Sequence, residues 1–323
     1  MTLRRIKFAS GLIAILSVLF IFAALNIDHA YACASCGSGG DEPLVLFPAE
    51  ALKVHGSISI TPQLASTGPD GTALQSAGPD RRIAATFAVG LAISPRSFLI
   101  VSESLVTNSR TSSSGSGTRP SSVNQSGIAD PLVSGRYTLV MPQLSRPLIP
   151  QVQVLAGYRP AMVRSIHDST DAHLLDVFGS GFDEIRIGTD LWMGMLPVKP
   201  GIAVSVTESV ATRHNGTLLK PGTLVRTTCS LSGAIPAGDF GIEALPVKLS
   251  AGVTADRRGQ ATADRDRVED SEQSVNGAFV SADFLAFESD SIKLTMARQG
   301  AFGTVKNSVA STNWTMAWAR VLR

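Results

Sequence analysis

Charge is scarce in this chain: Asp, Glu, Lys and Arg make up only 17% of its 323 residues, and aromatic residues only 6%. With 44% hydrophobic residues and slightly positive mean hydropathy, so little charge points to an exported or membrane protein. Signatures of catalysis are missing too. There is no glycine-rich phosphate loop, no Gly-x-Ser-x-Gly elbow and no His-Glu-x-x-His, and the five His are scattered. No nucleophile has partners in view, so the expectation is a protein that is not an enzyme and carries no cofactor or metal centre. Nor does any apolar run beyond residue 32 reach the roughly 20 residues a membrane helix needs. If the mature chain sits in a membrane, it does so as a closed barrel, because in lipid every backbone polar group must be paired internally.

The first 32 residues have their own logic. Arg4, Arg5 and Lys7 precede the apolar run Gly11 to Leu25, which ends at Ala30-Tyr31-Ala32. A basic start, an apolar middle and small residues at the end make a secretory signal peptide cleaved after Ala32. Its removal takes three basic and one acidic residue from totals of 28 and 26 and leaves 25 of each. A net charge of zero argues against nucleic acid or an anionic lipid surface as the partner. Residues 33–50 then form an N-terminal segment opening on Cys33 and Cys36. This CxxC allows a disulfide, a lipid on Cys33, or a metal or redox pair, and no His follows it to make a haem-attachment site.

From Ala51 onward the pattern is strand after strand. Leu52, Val54, Gly56, Ile58 and Ile60 alternate with Lys53, His55, Ser57, Ser59 and Thr61. The stretch from Gly127 to Met141 sets Val133, Gly135, Tyr137 and Leu139 against Asp130, Ser134, Arg136 and Thr138, and Gln151 to Pro160 follows it as the second arm of a hairpin. Successive side chains of a strand point to opposite faces, so each of these strands is apolar on one side and polar on the other. One strand, Ser97 to Val106, is less clean: Glu103 shares a face with Leu99, Val101 and Leu105, which calls for a bulge or a rim position.

Twelve such strands are predicted, and their connections alternate in length. The gaps at 67–79, 107–126, 163–183, 214–222, 257–276 and 303–312 are long, whereas those at 95–96, 142–150, 198–201, 237–241 and 290–291 are shorter. An even number of antiparallel strands with long loops at one end is the layout of an up-and-down transmembrane β-barrel of the bacterial outer membrane, with both termini periplasmic. Mid-strand on the polar face stand Lys53, Arg82, Asp130, Arg136, Arg159, Arg186, Asp190 and Arg226, the candidates for lining a lumen. In a dry core each unpaired charge costs several kcal/mol, which a watery interior avoids. Trp192 has inward parity, and Cys229 reads as a small apolar residue on the lipid face. His167, Asp168, Asp171 and His173 could clasp a cation, although loop polarity alone explains them; Glu103 and Glu208, in similar contexts, read as two related hairpins rather than paired acids.

At Gly127-Ile-Ala-Asp130-Pro-Leu-Val-Ser134-Gly-Arg-Tyr137 the sequence resembles the outer-membrane barrel proteins grouped as MetA-pathway phenol-degradation transporters, and the strand-and-loop rhythm of residues 51–323 is similar to theirs. The resemblance implies a porin-like barrel in outer-membrane lipid, inserted by the barrel-assembly machinery and passing or binding a small-molecule solute, an apolar one among the options. One departure is the ending Ala-Arg-Val-Leu-Arg323, where such barrels usually finish on an aromatic residue used in assembly. Two other readings stay open: a non-transporting structural or adhesive outer-membrane barrel, and a soluble periplasmic β-protein using Cys33 and Cys36 for copper or redox partnership.

Overall fold

The computed structural model describes residues 50–74, 78–112, 121–141, 148–193, 198–235, 247–285 and 289–322. In it, twelve antiparallel strands close into one barrel: β1 (Leu52–Thr67), β2 (Arg81–Ser94), β3 (Ser97–Ser112), β4 (Ser121–Ile128, resuming as Leu132–Val140), β5 (Gln151–Arg159), β6 (Glu184–Trp192), β7 (Val198–Ser209), β8 (Leu224–Ile235), β9 (Val247–Arg258), β10 (Gln273–Leu285), β11 (Asp290–Gln299) and β12 (Val309–Leu322). Each pairs with the next in sequence, and β12 returns to β1 from Leu52 opposite Leu322 to Ser66 opposite Val309. Among the described residues no helix is long and apolar enough to cross a membrane.

The distribution of side chains is inverted relative to a soluble protein. Phe87, Leu91, Ile187, Trp314 and Met316 are more than half exposed on the outer face. Lys53, Arg136, Gln153, Asp190 and Lys248 are buried on the inner one. Each large apolar side chain left in water forgoes about 1.5–3 kcal/mol, so an outer wall of them is a surface shaped for lipid. That wall is not uniformly convex. Between β9 and β2 it is indented, leaving an apolar hollow of about 1110 Å³ bordered by Phe87, Trp314 and Trp318 with Gly56 among its lining.

At the short-turn end β2 joins β3 through Pro95 and Arg96, with Ser94 Oγ accepting the amides of Arg96 and Ser97. At the other end several strands outrun the predicted ones. β3 continues to Ser112 and β4 starts at Ser121, inside the stretch expected to be a loop over 107–126. Where strands outrun the apolar outer wall, the alternation that marks them in sequence fades while the backbone ladder persists. Val198-Lys-Pro-Gly201, expected as a turn, is the start of β7: Pro200 sits near the strand end and contributes its carbonyl to the amide of Met193. The irregularity expected around Glu103 falls on the partner strand. Three residues of β4, Ala129 to Pro131, oppose Glu103 and Ser104 on β3, and the Ala129 amide bonds the Ser104 carbonyl.

The long loops form a linked ring over this end. Thr212–His214 and Thr217–Lys220, between β7 and β8, pair into a small sheet with Thr262–Ala263 and Asp266–Arg267, between β9 and β10. Asn307 ties the last loop to this group by donating to the Asp270 and Glu272 carbonyls, while its own amide bonds the Gly68 carbonyl of the first loop. Residues 1–49, with the leader and the Cys33/Cys36 pair, lie outside the described residues.

Candidate functional site

The candidate site is the barrel interior, and its two walls differ. On β2 to β7 the inward positions carry bulk. Phe98 and Ile100 pack with Ala88, while Leu155 and Trp192 are buried on β5 and β6. Arg136 and Asp190 form a buried ion pair, with Arg136 also 3.5 Å from Gln153, whose amide donates to Thr138 at 3.0 Å. A charge pair this deeply buried persists because each partner is bonded, and its members bridge β4 to β6 across β5.

The loop between β5 and β6 fills the upper part of this same half. Its anchor is Asp130, which points inward from the β4 break. One carboxylate oxygen accepts the amides of Met162 (2.8 Å) and Val163 (3.1 Å), and the other that of Ser180 (2.9 Å). Asn108, inward on β3, donates to the carbonyls of Leu175 and Val177, both at 3.0 Å. The Phe178 ring lies directly on Gly127, where any Cβ would collide with it, and a Cβ on Gly179 would come within 2.5 Å of Asp130. Within the loop, Asp176 is buried and collects Ser169, the Thr170 amide and Arg164. Its burial favours the neutral acid, but those bonds outweigh it and hold the carboxyl at about 2.

The opposite half, from β8 through β12 to β1, holds a cavity of about 490 Å³. Its middle is lined by hydroxyls: Ser57 and Ser59 on β1, Ser230 on β8, Ser250 on β9, Ser281 on β10 and Thr295 on β11. Charged side chains flank this belt. Towards the loops Arg226 and Asp256 face each other across β8 and β9 in a two-bond pair of 2.8 and 2.7 Å. Towards the turns Lys248, Asp283 and Lys293 stand in one register across β9, β10 and β11. Among the described residues, the charged side chains bordering the cavity are Arg226, Lys248, Lys293 and Arg298 against Asp256.

The eight predicted lumen residues all sit on inner-face positions, but in different surroundings. Arg226 borders the cavity. Arg136 and Asp190 belong to the packed wall, and Asp130 to the loop anchor. Arg159 meets Glu184 at 3.2 Å near the loop end of β5, and Lys53 is 3.4 Å from Glu50 near the turn end. Arg82 and Arg186 are partly buried on β2 and β6. Sequence reasoning missed Lys248, Lys293 and Asp256, although their even or odd place in clean alternations was available as a signal. In the loop, Asp171 bonds Gln125 and its own turn, away from His167, and no group of three metal-type side chains gathers among the described residues. Glu103 accepts the neighbouring Ser104 amide on β3, whereas Glu208 binds Lys220 and Thr223 at the end of β7.

A closed twelve-stranded barrel, apolar outside and polar within, has the fold of an outer-membrane channel. Among solved structures, the chain is similar to the COG4313 outer membrane channel from Pseudomonas putida F1, with a TM-score of 0.63 and 11% identity over 92% of this chain and 100% of that one. This is a likeness of fold. The NanC porin is a looser match, with a TM-score of 0.46 and 8% identity over 84% of this chain and 100% of that one. A variant of the monoaromatic hydrocarbon channel TodX has a TM-score of 0.43 and 8% identity over 92% and 100%. No protein-family model matches the sequence, and no curated protein matches it.

Proposed function

We propose that the protein is an outer-membrane channel passing small polar solutes, with a preference for anions. Its conduit is the hydroxyl-lined cavity between β8 and β1. The observation that carries this reading is the lining itself: Arg226, Lys248, Lys293 and Arg298 against Asp256, with Asp283 between the two lysines, around a belt of Ser and Thr. Hydroxyls replace part of a solute's hydration shell without binding it tightly, and a basic excess lowers the barrier for negative charge. An apolar solute is less well suited, because it would have to shed water against polar groups that then lose theirs.

On this reading residues 1–32 export the chain, the barrel-assembly machinery inserts residues 51–323, and the termini face the periplasm below the short turns. Residues 33–50 remain on that side with Cys33 and Cys36. The apolar outer wall speaks against the soluble periplasmic alternative. The adhesive or structural barrel is separated from a channel by conductance. Purified protein that changes SDS mobility on heating should add discrete conductance steps to a planar bilayer, with a reversal potential on the anion side in a salt gradient. Folded protein that inserts without conducting overturns the channel in favour of the structural barrel.

A further inference from the structure

The loop between β5 and β6 and the small sheet between β7 and β8 meet at two histidines. His167 and His214 stack with ring centres 4.6 Å apart and planes tilted by 31°, and Phe182 packs edge-on against both at 5.6 and 5.2 Å. His214 Nε2 lies 3.2 Å from the Gly181 carbonyl, which can only accept, so this nitrogen donates. Nδ1 of the same ring faces Asp168, 3.7 Å away, whose other oxygen accepts the Ser165 hydroxyl at 2.6 Å. Beyond the backbone bond from the Val210 amide to the Asp183 carbonyl at the strand ends, this cluster pins the loop sheet to the loop that fills the barrel.

We propose that His167 and His214 form a proton-operated latch that holds the loop sheet against the mouth of the barrel and releases it when both imidazoles are charged. With both rings protonated, two like charges stand 4.6 Å apart against the single carboxylate of Asp168, and the contact is driven open. Burial and the neighbouring His214 both push the His167 imidazole below its ordinary range, with Asp168 opposing them. A histidine depressed in the closed state stabilises that state at high pH. Its contribution is complete above about 6.5 and is lost as the pH falls below it.

The test is hydrogen exchange of the amides of Arg213 to Lys220 in the folded, detergent-solubilised barrel, with the intrinsic pH effect on exchange divided out. Between about pH 7.5 and 4.5 protection should fall roughly tenfold or more. His167→Phe keeps the ring contact without the charge, and its protection should not change over that range. Asp168→Asn withdraws the anion that draws protons in and should move the release to lower pH. Unchanged protection in the unaltered protein, or an equal fall in His167→Phe, overturns the latch. This readout needs no conductance, so a failed channel and a failed latch are told apart.

Discussion

Inward positions on β2 to β7 hold Phe98, Ile100, Leu155, Trp192 and the Arg136–Asp190 pair, whereas those from β8 to β1 hold mainly Ser, Thr and Ala around a cavity. Both walls have the same alternation, the same ladder and the same apolar exterior. The difference lies in the inward side chains and in the loop folded over them. In a barrel of this size strand number sets the outer dimensions, and residue size on the inner face decides which part is solid. The β5–β6 loop adds to this by anchoring on Asp130 and Asn108, both in the solid wall.

The sharpest way to break the contrast is to remove a partner from each wall's ion pair. Asp190→Ala leaves Arg136 buried without its carboxylate and should cost about 3–5 kcal/mol, read as a lower urea midpoint for loss of the heat-modifiable form. Asp256→Ala in the open wall leaves Arg226 facing the cavity and should cost about 1 kcal/mol or less by the same titration. Bulk is the next lever. Ser281→Trp should cut single-channel conductance by roughly half or more, while Gln153→Trp in the solid wall should leave conductance nearly unchanged and lower stability instead. Equal conductance losses from the two would erase the distinction between the walls.

Smaller effects probe the loop. Asp130→Asn weakens charge-assisted bonds to three amides and should lower local protection of residues 162–180 by about 1–3 kcal/mol in hydrogen exchange, with the barrel still closed. The smallest effect concerns acid. Asp176 is held at about 2, below the ordinary carboxylate range, so its contribution is present above that range and lost only as pH falls towards 2. Protection of residues 164–176 should therefore outlast the release of the His167–His214 contact on acidification, persisting to about pH 3.

The barrel was legible because lipid and water impose opposite demands on alternate residues: Ile58 and Met316 against Ser59 and Thr315 announce both the strand and its faces. The loop lengths supplied the closure. What alternation cannot show is which inward polar residue meets water. Asp130, Asp190 and Arg226 look alike in sequence, yet one anchors a loop, one is locked to Arg136 and one borders the cavity. That assignment depends on what folds back from residues 160–183, whose bonds to Asp130 and Asn108 span 32 to 69 positions of the chain and leave no local pattern. The extensions past the apolar outer wall, such as Ser121–Ile128, were hidden because one face meets solvent and the other the β5–β6 loop, at Gln125 and Gly127.

The seam between β1 and β12 sets a condition on how the barrel comes into being. Leu52 pairs with Leu322, so the first strand made waits for the last before either has its full complement of neighbours. Local hairpins can form early, but closing so long a loop carries an entropic cost that no local contact repays. Until β12 arrives, the chain is an open sheet with two unpaired edges and an apolar face, the form in which strands pair with the wrong partner. Closure is therefore the slow and hazardous step, and a chain stopped before Val309 would present itself to the membrane as a sheet.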